Sequence, residues 1–255
     1  VSVSRWRRGL VDALTTEDGD TLLRHTAERA ELHLRKGRLV PGRGYASAPA
    51  GARRELARLA AVLRLRQRGR FHLHAAGVVA PDGGAWILAG ESGNGKSTLA
   101  YALARRGWPV LGDDGVLVER TKGGIVARAW REPMQVSIEL ASEFPELGAA
   151  RAAVDWSDPR HRVAVLAPGG TASSAPVRAL ALVRRSSRDA LTPASPTDVM
   201  AALIRQSPTV LLGGDRAVDQ LDTLGTLVTS VPVYRLEHTE RQLHVLHRTL
   251  TEGAC

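Results

Sequence analysis

Residues Gly90, Glu91, Ser92, Gly93, Asn94, Gly95, Lys96, Ser97 and Thr98 have the types and spacing to hold a polyphosphate. Glycines at 90, 93 and 95 let the backbone take turns that side chains block, so successive N–H groups can point at phosphate oxygens. Lys96 can reach the β- and γ-phosphates, and the Ser97 hydroxyl is the expected ligand of Mg²⁺. The run is a full match to the pattern G-x-x-x-x-G-K-[ST]. Lysine is scarce elsewhere, Lys36 and Lys122 being the others, yet it stands at the phosphate position. The pattern predicts a site for a nucleoside triphosphate with Mg²⁺.

A bound Mg·nucleotide needs carboxylates near its γ-phosphate, and Asp113 and Asp114 are the first after the loop. One can hold Mg²⁺, directly or through water, while the other accepts a proton from an attacking hydroxyl. An ordinary Asp-Asp-Gly turn is the alternative. His74, on the strand preceding the loop hairpin, is the next candidate, with His72 sharing its face by strand alternation.

These residues need a strand before the loop and a helix after it. Trp86 to Ala89 supply the strand, and Leu99 to Arg106 supply a helix that stops at Gly107. Phe71 to Ala80 reads as one strand, turned by Pro81-Asp82-Gly83-Gly84 into Ala85 to Ala89. The strand after the helix, with the acidic pair at its end, is expected beside the loop strand, both C-terminal ends at one edge. Further strands are expected at Val116 to Val118, Ile125 to Ala129, Val163 to Leu166, Ala179 to Val183 and Val231 to Leu236. Helices are expected at Asp198 to Gln206, Asp215 to Thr229 and Thr239 to Leu250. The pattern is α/β, with mixed strands and flanking helices.

Residues 1–70 read as a basic N-terminal elaboration, and residues 71–255 as the nucleotide-binding domain. In the first, Leu32, Leu34 and Leu39 flank a Lys36-Gly37 turn, suggesting a hairpin, and Arg53 to Arg68 has the apolar spacing of an amphipathic helix. Residues 1–70 hold 16 Lys or Arg against 7 Asp or Glu, whereas residues 71–255 hold 19 of each. All of the net charge of +9 therefore precedes the loop. Arg64, Arg66, Arg68 and Arg70 form a cluster just before the strand carrying His74. Such a surface suits an acidic protein, a peptide or a nucleic acid, and a solvated helical face is the plain alternative. Sparse aromatic residues argue against a single-strand nucleic-acid platform.

The apolar content of 44% and charged content of 24% are those of a soluble globular protein. No apolar run approaches a membrane span of roughly 18 residues, and the charged first residues, with no apolar run after them, are not expected to act as a secretory signal. The single cysteine, Cys255, excludes an internal disulfide and a cysteine metal cluster. A cytoplasmic location is expected, and a homo-oligomer is compatible with the sequence.

His74-Ala75-Ala76-Gly77-Val78-Val79, the Gly90 to Ser97 loop, Arg106-Gly107-Trp108 and Gly112-Asp113-Asp114, in that order, resemble the C-terminal kinase domain of the HPr kinase/phosphorylase family. The chain looks closest to the shorter HPr-kinase-related proteins, some associated with ribosomal peptide natural products such as lasso peptides. The similarity is dense over residues 71–120 and weaker through 250. It implies a P-loop kinase fold related to phosphoenolpyruvate carboxykinase, with an ATP-dependent kinase acting on a serine hydroxyl of a protein or peptide. It also implies that His74 sits near the transferred phosphate, Ser97 on Mg²⁺, and Asp113 and Asp114 as metal contact and general base. Asp114 is our choice of base, and the match leaves the division of roles open. Arg160 falls near the family's basic phosphate contact, where a solvated loop arginine is an equal alternative. Trp130-Arg131-Glu132-Pro133 occupies the place of the family's Glu-x-Arg-Gly segment without matching it, which puts the reverse, phosphorolytic reaction in doubt.

The loop alone also resembles that of ABC transporter ATPases. Those need a Ser-Gly-Gly-Gln-type signature and an apolar strand ending in Asp-Glu, and here Ala179 to Val183 runs into Arg184-Arg185. Two other readings stay open: a nucleotide-binding regulator without chemistry, and a kinase of a small serine-like substrate.

Overall fold

The computed structural model describes residues 3–16, 18–154, 156, 160–212 and 215–239. The helix expected at Thr239 to Leu250 lies, after its first residue, outside the described residues, as do Asp158, Pro159 and Cys255. The chain divides into two units, Val1–His72 with Ser207–Asp222 and Leu73–Gln206 with Thr223–Cys255.

The first unit is an antiparallel meander of β1 (Val3–Arg8), β2 (Val11–Thr16), β3 (Thr21–His25), β4 (Ala30–Arg35) and β5 (Arg38–Pro41), backed by helix α1 (Ala50–Arg66). The β4–β5 hairpin turns at Lys36-Gly37 and is the last of four successive pairings. Alternation sends Val11, Ala13, Leu23, Ala30, Leu32 and Leu34 inward, where Leu56, Leu59, Ala60 and Leu63 of α1 meet them. Arg64 and Arg68 are exposed, whereas Arg66 is buried, so the arginine cluster read from the sequence is not one continuous solvent face. The helical period puts Arg66 on the same side as Val62 and Leu63, both buried.

The second unit is mixed α/β. Its strands are β6 (Arg70–Leu73, entering from the first unit), β7 (Ala76–Val79), β8 (Ala85–Ala89), β9 (Val110–Gly112), β10 (Val116–Thr121), β11 (Gly124–Ala129), β12 (Met134–Ser137), β13 (Arg162–Val165), β14 (Ser174–Arg185), β15 (Ala190–Pro193) and β16 (Val233–His238). Helix α2 (Lys96–Ala104) follows β8, α3 (Pro196–Arg205) follows β15, and α4 (Asp215–Ser230), which belongs to the first unit as far as Asp222, precedes β16. The long β14 pairs with the β10–β11 hairpin near its start, then runs parallel between β8 and β16. All five residues of β8 are buried, as a strand covered on both faces requires. Trp86, Leu88, Leu99 and Leu103 anchor the core between this sheet and α2, each burial contributing about 1.5–3 kcal/mol.

Two expectations about the strands need correction. The run from Phe71 to Ala80 is not one strand: it breaks at His74 and Ala75, where the Ala75 N–H turns back to the Leu73 carbonyl. The break frees His74 from the ladder and cancels the alternation that tied it to His72. Nor does the strand after α2 lie beside β8. The β7–β8 hairpin already fills that side, so β9 pairs antiparallel with β7 one place further out. Because β7 is antiparallel to both neighbours, β8 and β9 still point the same way, and Gly90 and Asp113 emerge at one edge. Among the described residues no helix is long and apolar enough to cross a membrane.

Candidate active site

The loop leaves β8 at Gly90, where a side chain has no room: an added Cβ would stand 2.6 Å from the Val183 carbonyl oxygen. Gly95 ends it with φ of +84°, the left-handed region open to glycine, and caps α2. A Cβ there would lie 2.6 Å from the imidazole of His238, at the end of β16. That imidazole is buried and its Nε2 lies 3.0 Å from the Asn94 carbonyl oxygen, so His238 props the loop from beneath. No side chain caps α2. Its leading N–H groups and the positive end of its dipole are thus presented at the loop, the arrangement in which helix termini hold anions.

A cavity of about 310 Å³ opens over this loop. Ser92, Gly93, Gly95, Lys96, Ser97 and Thr98 form one wall, and His74, Asp113, Asp114 and Arg160 come together on the others. Gly90, Glu91 and Asn94 instead face a second cavity on the far side of the loop. The first cavity also receives Gln135, Ser137, Glu139, Arg162 and Arg185, which carry no motif. Alternation could have placed two of them: Met134 and Val136 of β12 are buried in the α2 core, so Gln135 and Ser137 point the other way. Arg185 shares the Val183 side of β14 by the same rule.

Lys96 is 6% exposed and donates to the carbonyl oxygens of Gly90 at 2.8 Å and Glu91 at 3.1 Å. Burial pushes its ammonium below the ordinary lysine range; the Asp114 charge opposes this and Arg160 adds to it. His74 Nδ1 lies 3.1 Å from Asp114 Oδ1 and 3.2 Å from the Asp114 backbone oxygen. Both partners are acceptors, so that nitrogen carries the proton and steadies the carboxylate.

Asp113 is 2% exposed and its Oδ2 accepts the Gln135 N–H at 2.8 Å. Burial pushes its carboxyl above the ordinary range, and the neighbouring Asp114 charge pushes the same way. The backbone N–H groups of Gln135 and Asp113 and a hydrogen bond with Ser97 pull it back. An acid with a raised folded pKa holds its proton longer folded than unfolded, so it lowers stability as pH rises from its unfolded value of 3.8 through its folded one. Asp113→Asn keeps an acceptor for Gln135 and removes the buried charge. With divalent metal chelated, thermal melts should show the variant more stable than wild type at pH 7, the gap closing as pH falls toward 4. A variant less stable at every pH would contradict this placement.

No family model and no curated protein matches this chain. Among solved structures it is similar to the Hpr(Ser) kinase/phosphatase of Coxiella burnetii, at 11% identity over 71% of this chain and 94% of that one, with a TM-score of 0.39.

Proposed function

We propose that the chain is an ATP- and Mg²⁺-dependent kinase that transfers the γ-phosphoryl group to a serine hydroxyl of a protein or peptide. The supporting observation is the convergence of Lys96, Ser97, Asp113, Asp114, His74 and Arg160 on one cavity at an uncapped helix N-terminus. The β- and γ-phosphates lie along the loop N–H groups, and Lys96 leaves its two carbonyl partners to meet them. Ser97 and Asp113 fit a magnesium ion, since one hydroxyl and one carboxylate are the protein share of sites completed by phosphate oxygens and water. Among the described residues no cluster of three or more His, Cys, Asp or Glu forms an all-protein cage instead. Mg²⁺ held there neutralises charge on the β- and γ-phosphates.

The acceptor hydroxyl approaches beside Asp114, which takes its proton as the new O–P bond forms and the bond from γ-phosphorus to the leaving ADP breaks. Arg160 and Arg185 place positive charge around the transferred group, offsetting what develops on its oxygens. Residues 1–70 hold the basic excess, which favours an acidic macromolecular acceptor over a free small molecule. A precursor of a ribosomal peptide natural product fits that description. The experiment is incubation with ATP, Mg²⁺ and a panel of acidic serine peptides, read by intact mass. One added phosphoryl group that disappears when the modified serine is alanine supports the proposal. Transfer to free serine but to no peptide would replace it with the small-substrate reading.

A further inference from the structure

The peptide bond between Asn94 and Gly95 stands between the two cavities. Gly95 lines the first, beside Lys96, and Asn94 lines the second, on the far side of the loop. Among the described residues every peptide bond is trans. A trans peptide sends the carbonyl oxygen of one residue and the N–H of the next in opposite directions. Whatever holds the Asn94 carbonyl oxygen on one side of the loop therefore aims the Gly95 N–H at the other.

His238 is the holder. Its imidazole is 1% exposed, with Nε2 3.0 Å from the Asn94 carbonyl oxygen and Nδ1 3.4 Å from the Thr239 carbonyl oxygen. Both neighbours are acceptors, and we assign the proton to Nε2, which makes the shorter contact. The ring is anchored in the sheet and not in the loop. His238 pairs with Arg185 of β14 in register, and its own carbonyl oxygen accepts the Ser186 N–H at 3.0 Å. The same β14 runs beside β8, the strand that feeds the loop.

The other loop carbonyls are held differently. Lys96 donates to the Gly90 and Glu91 oxygens, and arriving phosphates draw that ammonium away. His238 lies beneath the loop and is not called on by the phosphates, so its bond to Asn94 persists in both states. Such a fixed donor sets the direction of an amide before the anion arrives.

We propose that His238 is a positioning residue for the nucleotide: through the Asn94 carbonyl oxygen it turns the Gly95 N–H into the first cavity, where a phosphate oxygen accepts it. The proposal rests on the phosphate-site reading and adds to it a residue 144 positions along the chain from Asn94.

The test compares His238→Gln with His238→Met by titration calorimetry, using Mg·ATP and inorganic tripolyphosphate. Glutamine extends an N–H to about the place of Nε2, whereas methionine has similar length and no donor. The methionine variant should bind both ligands about tenfold more weakly, and the glutamine variant within about threefold of wild type. A glutamine variant no better than methionine would reduce His238 to packing, and unchanged affinity in both would remove it altogether; either result overturns the proposal. A second measurement needs no variant. In ¹⁵N-labelled wild type the Gly95 amide proton should move downfield when tripolyphosphate binds, as an N–H donating to an anion does. An unmoved Gly95 amide in a protein that binds tripolyphosphate would overturn the proposal and leave the phosphate site standing. If neither tripolyphosphate nor ATP binds wild type, the phosphate reading fails and this proposal with it.

Discussion

Asp114→Asn is expected to lower phosphoryl transfer by about 10²-fold or more and to leave ATP affinity within a few-fold, the size of a lost general base. The substitution keeps the shape of the side chain, and the His74 Nδ1 proton still meets the Asp114 backbone oxygen and a side-chain oxygen in place of Oδ1. What goes is the charge proposed to take the acceptor's proton. Removing a negative charge next to the phosphates, if anything, strengthens ATP binding. Single-turnover rates and calorimetry on the two proteins separate the effects. A variant that transfers phosphate at the wild-type rate rules Asp114 out as base. Loss of binding and rate together would make it a structural residue.

The second large effect is on binding. Lys96→Ala should weaken Mg·ATP by about tenfold to a hundredfold, the equivalent of about 1.5–3 kcal/mol for a charge-assisted contact to phosphate. The fold should survive, because the Gly90 carbonyl oxygen keeps its bond from Gln206 when the ammonium leaves. Lys96→Met tests the charge with less change in volume and should show the same loss. Circular dichroism confirms folding, and calorimetry reads the affinity. Unchanged affinity in a folded variant would remove the loop from the account.

Much of the candidate site was legible because its chemistry is local in sequence. The loop's proposed role rests on the spacing of three glycines, a lysine and a hydroxyl, and Asp113 and Asp114 follow one helix later. The remaining walls are products of topology. Gln135 and Ser137 reach the cavity because β12 buries Met134 and Val136 under α2, and Arg162 arrives on β13, the strand paired with it. Only a known pairing could supply that. The break at His74 was hidden because Phe71 to Ala80 is apolar almost throughout, and such a run does not reveal where a ladder stops. The displacement of β9 arose because the hairpin turn at Pro81 to Gly84 had already assigned a neighbour to β8. In the first unit, β1 and β2 put small Ala13 inside and arginines outside, so their alternation is faint beside the leucines of β4 and α1. The buried Arg66 shows the same weakness: charge composition locates a basic region without saying which guanidiniums reach water.

In the proposed reaction this cavity moves a phosphoryl group from ATP to a serine oxygen. Phosphorus NMR on one sample of the protein with Mg·ATP and its peptide acceptor tests it most directly. The γ-phosphate signal should decay while ADP and a phosphoserine monoester grow at equal rates, and Asp114→Asn should abolish the monoester on the same time scale. Growth of inorganic phosphate in place of the monoester, or an intact γ-signal beside a saturated nucleotide site, would contradict it.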